Sequence, residues 1–113
     1  MAERIPEALP SGVCTVFVRH TTAGLIINEA ASGLVADVQD WLARLIDDDH
    51  AYRHDRIDDD AAAHLHSVVL GADLTVPICD GQLDLGTWQQ ILLVETDDPR
   101  TRSVEVKISE AVV

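Results

Sequence analysis

Outside two segments, the apolar residues of this chain come in runs too short for a helix, and one of those two carries a clear helical stripe. Val13, Thr15, Val16 and Val18 sit between Ser11-Gly12 and His20-Thr21, Leu74 to Cys79 stops at Asp80-Gly81, and Val104, Val106 and Ile108 alternate with polar neighbours. Runs of this length, rich in β-branched residues and bounded by turn residues, read as strands. That segment holds Leu34, Val35, Val38, Trp41, Leu42, Leu45 and Ile46, spaced by three and four residues. That spacing lays one apolar stripe along a helix, with Ser32 as its expected cap.

The remaining segments follow the same logic. Residues 1–12 read as the end of a short helix and its turn, and the first strand runs from Val13 to His20. Leu25 to Asn28 forms a second strand after the Thr-Thr-Ala-Gly break. Strands joined by a short loop usually pair, which sets Asn28 and Glu29 beside His20. After a charged loop from Asp47, Asp60 can cap a second, shorter helix from Ala61 to Leu70, and Gly71 suits a left-handed residue after it. Pro77 puts Leu74 to Cys79 near an edge or a bulge. Asp80-Gly81 is a hairpin turn returning through Leu83 to Leu85. Trp88 to Thr96 is the most apolar strand, and Asp97-Asp98-Pro99-Arg100 turns into the last one. Antiparallel strands with two helices inserted early make an α+β domain, one unit over residues 1–113.

Composition narrows the function. The 113 residues carry 20 acidic against 8 basic side chains, a formal charge of −12. A duplex binder must neutralise phosphates and an anionic membrane surface attracts cations, so nucleic acid and membrane are both expected to be absent as partners. No apolar run approaches bilayer length and no secretory pattern precedes the first strand, which makes the cytoplasm the expected location. With two Trp, one Tyr and one Phe, the core must be mainly aliphatic. Cys14 and Cys79 stand alone in separate strands and are expected as reduced, buried thiols.

Chemistry is confined to three polar islands: Arg19-His20-Thr21-Thr22-Ala23, Asp60 to Ser67, and Gly86-Thr87-Trp88-Gln89. Polar side chains at strand ends are costly to bury without partners, so such islands mark a satisfied network or a site. His20 followed by Thr21 and Thr22 can surround an anionic group, although a histidine bonded to a main-chain carbonyl explains the same residue. On a helix His64 and His66 point to different sides, and His64 is the one expected at the site, with His66 partly solvated. Neutral imidazoles from His20, His54 and His64 can form an open zinc site, and magnesium bridging carboxylates to a diphosphate is the other divalent metal considered. Gly86 permits close backbone approach, Thr87 and Gln89 supply hydrogen bonds, and Trp88 offers a flat apolar wall. Glu95 falls on the face of Gln89 by the two-residue period if the strand is regular.

In order, His20-Thr21-Thr22-Ala23, Ile27-Asn28-Glu29, Tyr52-x-His54, His64 with Ser67 and Leu70-Gly71, Gly86-Thr87-Trp88-Gln89 and Glu95 resemble the YjbQ family of small proteins. The resemblance implies a mostly antiparallel β-sandwich of two orthogonally packed sheets with two helices, assembled as a homotrimer with pockets near subunit boundaries. It also implies weak thiamine-phosphate synthase activity, joining an aminopyrimidine diphosphate to a thiazole phosphate. By position, His20, Asn28, His64, Thr87, Trp88, Gln89 and Glu95 become pocket residues, with a small phosphorylated molecule as ligand and a metal or anion suggested among the histidines. Compared with the family pattern the chain starts a strand or two late, and His66 stands where lysine is common. Two rival functions stay open: metal-assisted hydrolysis of phosphate esters through His20 and His64, and binding of a phosphorylated heterocycle without turnover.

The acids gather in Asp47-Asp48-Asp49, Asp58-Asp59-Asp60 and Asp97-Asp98, and Lys107 is the one lysine. Such self-repulsion is tolerated where salt screens it, so the surface reads as salt-adapted. The thermal midpoint is expected to climb as sodium chloride is added; a flat or falling curve rejects the reading.

Overall fold

In a computed structural model of the protein, which describes residues 10–47, 51–53, 60–97 and 102–110, six strands and two helices stack in three layers. The chain runs β1 (Ser11–Val18), β2 (Ala23–Asn28), α1 (Ser32–Leu45), α2 (Ala61–Leu70), β3 (Asp73–Cys79), β4 (Gln82–Leu83), β5 (Gln90–Glu95) and β6 (Val104–Glu110). An antiparallel sheet of order β4-β3-β1-β6 forms the base, and β2 pairs with β5 in a separate two-stranded ribbon. The α+β class holds.

Alternation explains the layering. Cys14, Val16 and Val18 point to one face of β1 and are fully buried, together with Val76 and Ile78 from β3. Ala23 and Leu25 of β2 meet them, so one face of the ribbon covers the base sheet. Gly24 and Ile26 point the other way. There α2 lies on the ribbon so closely that a Cβ on Gly24 would come 2.5 Å from Leu70 Cβ. Gly71 and Ala72 then stitch the layers, their carbonyls accepting from the Leu25 and Val18 amides at 3.0 and 2.9 Å. Gly71 has φ 92° with ψ 159°, an extended conformation of positive φ open to glycine alone, in place of the expected left-handed turn.

Several local expectations change. β1 ends at Val18, leaving Arg19 and His20 in the connection. β2 pairs with β5 and not with β1, because its apolar face is needed over the base sheet; Asn28 is therefore carried away from His20. Ser32 is the first helical residue; Ala31 caps α1, and no side chain bonds the helix end. Asp60 does precede α2, yet its carboxylate turns to His64 instead of the helix amides. Asp80 and Gly81 have φ 52° and 76°, the pair of positive values that a two-residue hairpin favours, but β4 is only Gln82–Leu83. Pro77 pairs with Val13, while its carbonyl accepts from Asp84 at 2.8 Å on the other side, where the ladder has already run out and a missing N–H costs little. β5 starts at Gln90, so Trp88 and Gln89 lie in a turn. Cys79 is exposed and Cys14 buried, and the two form no disulfide. They lie on opposite faces of the sheet, which keeps the sulfurs apart.

The helical stripe is present but incompletely covered: only Leu42 is buried, and Trp41 is 48% exposed. A two-stranded ribbon is too narrow to carry both helices. Between α1 and the ribbon runs a groove of about 300 Å³ edged by Leu34, Val38, Ile26 and Leu92, with Asn28 and Glu29 at its rim. His66 Nε2 donates to the Leu42 carbonyl at 2.8 Å and ties α1 to α2. Among the described residues no helix is long and apolar enough to cross a membrane.

The close approach at Gly24 yields a direct test. Gly24→Ala must push α2 off β2 and is expected to lower unfolding free energy by about 1–3 kcal/mol in urea titrations. Gly33→Ala, whose Cβ meets nothing within 4 Å, is the control and should leave stability unchanged or higher.

Candidate functional site

The β2–β5 ladder divides the expected site residues between its two ends. Ala23 pairs with Glu95 at one end and Asn28 with Gln90 at the other. At the first end lie His20, Thr21, Thr22, His64 and Glu95; at the second lie Asn28, Gly86, Thr87, Trp88 and Gln89. Five steps of strand separate them by about 17 Å. One chain therefore does not bring the Gly86–Gln89 segment to the histidines.

The first end is built around a side chain absent from the sequence reading, Arg102, just ahead of β6. Its Nε and Nη2 both donate to the Glu95 carboxylate, Nη2 also donates to Thr22 Oγ1 at 2.8 Å, and Nη1 donates to His20 Nδ1 at 3.2 Å. The Arg102 and Glu95 side chains are 10% and 16% exposed. The Glu95 hydrogen bond raises the Arg102 pKa, desolvation opposes it, and the charges of Glu95 and Asp97 raise it further. Arg102 is accordingly a cation at any pH where the protein folds. Glu95 also accepts from the Asp97 amide at 3.1 Å and from Thr22 Oγ1 at 3.4 Å. It serves here as Arg102's counter-ion, with both oxygens engaged. Glu95 itself was the available clue, since an acid ending the most apolar strand must find a partner.

His20 sits in the same network. Besides Arg102 on Nδ1, the Ser103 amide points at Nε2 from 3.2 Å. A neutral imidazole has one in-plane lone pair, so His20 accepts from one of these two donors and carries its ring proton on the other nitrogen. His64 Nε2 faces Asp60 Oδ2 at 3.2 Å. Among the described residues no three His, Cys, Asp or Glu side chains gather as a metal would require, and His54 lies outside them, as do Asp48, Asp49, Asp58, Asp59 and Asp98. The His20 donor set does not fit a zinc or magnesium ligand.

Next to this network an open cleft of about 550 Å³ is shared by His20, His64, Arg19, Thr21 and Ser67. Phe17, Val18 and Val68 form its apolar side. Ser67 Oγ donates to the Ala23 carbonyl at 2.6 Å, holding α2 over the start of β2. Thr96 Oγ1 lies 2.8 Å from the Ala63 carbonyl and 2.5 Å from that of Thr22, fixing the same corner. His66 points away from the cleft to α1, so the pair diverges as helical geometry requires.

At the second end, Gly86 N–H donates to Gln89 Oε1 at 2.8 Å while Gln89 N–H donates to the Gly86 carbonyl at 3.0 Å. The turn is thus closed by main chain and side chain together, and it displays Trp88 at 72% exposure. Gln89, being outside the strand, does not share a strand face with Glu95. Asn28 Oδ1 accepts from the Glu29 amide at 2.8 Å at the rim of the α1 groove.

Fold and site together define a class: a small α+β protein with an open histidine cleft braced by an arginine–carboxylate pair. Residues 2–111 match a family model described as UPF0047 protein YjbQ-like, and the chain belongs to that family. It is 46% identical over 96 residues to a UPF0047 protein of Archaeoglobus fulgidus, covering 85% of this chain and 76% of that one. A UPF0047 protein of Methanothermobacter thermautotrophicus is 41% identical over 103 residues, 91% of this chain and 72% of the relative. The crystal structure of a YbjQ-like protein of unknown function from Sulfolobus solfataricus superposes with a TM-score of 0.88 at 38% identity, covering 92% of this chain and 76% of the other. An uncharacterized YjbQ/UPF0047 protein of Clostridium acetobutylicum gives 0.84 at 36%, covering 90% and 78%.

The bidentate geometry at Glu95 distinguishes arginine from lysine. Arg102→Lys is expected to lower the thermal midpoint clearly. Arg19→Lys, at an exposed ion pair 3.3 Å from Glu105, should not move it in the same melts.

Proposed function

We propose that the His20–His64 cleft binds a small phosphorylated heterocycle and that the protein works as a homotrimeric transferase of the thiamine-phosphate synthase kind. In that reaction the bond from the pyrimidine's methylene carbon to the diphosphate oxygen breaks, the thiazole nitrogen bonds to the same carbon, and pyrophosphate leaves with the electron pair. The observation that supports this reading is the cleft's set of donors. In a chain with 20 acidic and 8 basic residues, its described lining gathers Arg19, His20 and His64, with Glu105 3.3 Å from Arg19 and Asp60 3.2 Å from His64. An anion could exchange with those carboxylates as their partner, and Thr21 adds a hydroxyl for its oxygens. The Phe17, Val18 and Val68 side accommodates an apolar ring.

Within the proposed reaction Arg19 and His64 would meet the charge that grows on the departing pyrophosphate. Arg102 and Glu95 act from behind, fixing His20 and Thr22. A second reading, saturable binding without turnover, is favoured by the same network, because donors face both ring nitrogens of His20 and both Glu95 oxygens accept hydrogen bonds. The metal-assisted hydrolase draws on the same His20 ring nitrogens that Arg102 and Ser103 face.

Thiamine phosphate formation from the two precursors, followed with and without chelator, separates these readings. Transfer predicts measurable product from the wild type and loss of at least tenfold in His64→Ala, and a fall in rate on adding chelator marks a divalent metal on the diphosphate. Binding alone predicts saturable uptake of the diphosphate and no product. Unchanged rates in both His20→Ala and His64→Ala overturn the cleft as the reacting site.

A further inference from the structure

We infer that the free edge of β5 is a strand acceptor and that its partner is β5 of a second copy of this chain, paired antiparallel across a two-fold axis. The inference is independent of the cleft and of what the cleft binds.

The ladder fixes which groups the edge displays. The Thr96 amide donates to the Thr22 carbonyl at 3.0 Å, so by the alternation of an antiparallel pair Val94, Leu92 and Gln90 also turn their amides and carbonyls to β2. Ile91 and Leu93 turn theirs outward, where no strand or loop among the described residues meets them. Such an open row is a template for another strand.

The side chains say which strand it takes. β6, the open edge of the base sheet, carries Glu105, Lys107 and Glu110, charges of the sort that keep an edge from pairing. From Gln90 to Val94, β5 carries none, and none of its residues is buried. Leu93 is 40% exposed, and Leu92 and Val94 border the groove beside α1. In a chain of formal charge −12, this uncharged strip is where a second copy meets the least repulsion.

Symmetry selects the register. A two-fold that sets β5 antiparallel to itself stands perpendicular to the sheet and keeps every side chain on its own face, so odd positions oppose odd and even oppose even. Centred on Leu92, the pairing places Ile91 of each copy opposite Leu93 of the other, each pair exchanging both N–H···O bonds. Glu95, already engaged by Arg102, falls beyond the paired stretch. The two ribbons become one sheet with both α1 helices on the same face, which gives their uncovered stripes a broader surface than a single ribbon offers. The contact is isologous and closes on itself, so it joins copies in pairs, or joins two rings where a threefold also operates.

Amide exchange on the wild type tests it first. The Ile91 and Leu93 amides should exchange slowly in concentrated protein and fast on dilution, while the Leu92 amide, bonded to β2, stays slow throughout. Fast exchange at every concentration overturns the inference, as does slow exchange at every concentration, which marks an edge covered from within one chain. Cross-linking reads the geometry. In a Cys79→Ser background, Leu92→Cys should oxidise to a dimer with itself, because opposite residues of a non-hydrogen-bonded pair have Cα atoms about 4.5 Å apart. Val94→Cys, whose counterpart lies about 13 Å along the other strand, should not. No link from Leu92→Cys, or equal linking from both, overturns the contact. Leu92→Glu sets two carboxylates face to face and is expected to halve the particle mass in sedimentation; an unchanged mass counts against the pairing in the same way.

Discussion

Both faces of the β2–β5 ribbon are needed, and this double demand shapes the rest of the molecule. One face, Ala23 and Leu25, closes the core over the base sheet; the other, Gly24 and Ile26, receives the helices. A strand buried on both sides tolerates neither a bulky residue at the α2 crossing nor a slip in register, because a shift of one position exchanges the faces. The corner where Thr22 and Thr96 extend the ladder beyond Ala23 and Glu95 fixes that register, and His20 and His64 are suspended from it.

Glu95 ends the ribbon in a place too dry for an isolated carboxylate. Arg102 meets the cost with a two-pronged contact, and the leftover donors of its guanidinium orient Thr22 and His20. A buried pair of this sort is weak evidence for net stability, since desolvation offsets most of the attraction. Its more definite consequence is geometric: a planar fork with one orientation leaves His20 one orientation as well. The cleft side chains outside that network are chiefly His64, Arg19 and Thr21.

Much of the fold was legible because strand and helix periods differ and turn residues punctuate them. The α1 stripe, the Asp80-Gly81 hairpin and the alternation of β6 all follow from local rules. Pairing was less legible: the short β1–β2 loop argued for neighbours, while burial of Ala23 and Leu25 over the base sheet required separate sheets. That change alone moved Asn28 away from His20. Within the site, the helical offset correctly separated His64 from His66, but Arg102 escaped notice because nothing local distinguishes an arginine before a strand from any solvated one. Only Glu95, an acid ending the most apolar strand, pointed to it. The split of the motifs between two ends was equally unreadable, since order along a chain says which residues occur and not which end of a ladder they reach.

The exposed apolar side chains and the net charge bear on one another. Trp41, Val68 and Trp88 lie open in a chain of formal charge −12, so any assembly that covers them also brings acidic surfaces together. Hydrophobic cover acts at contact, whereas the repulsion extends roughly 8 Å at physiological ionic strength and less as salt rises. Salt therefore relieves the distant charges while leaving the apolar contact itself intact, so in a chain this acidic the ionic strength sets how readily these side chains are covered.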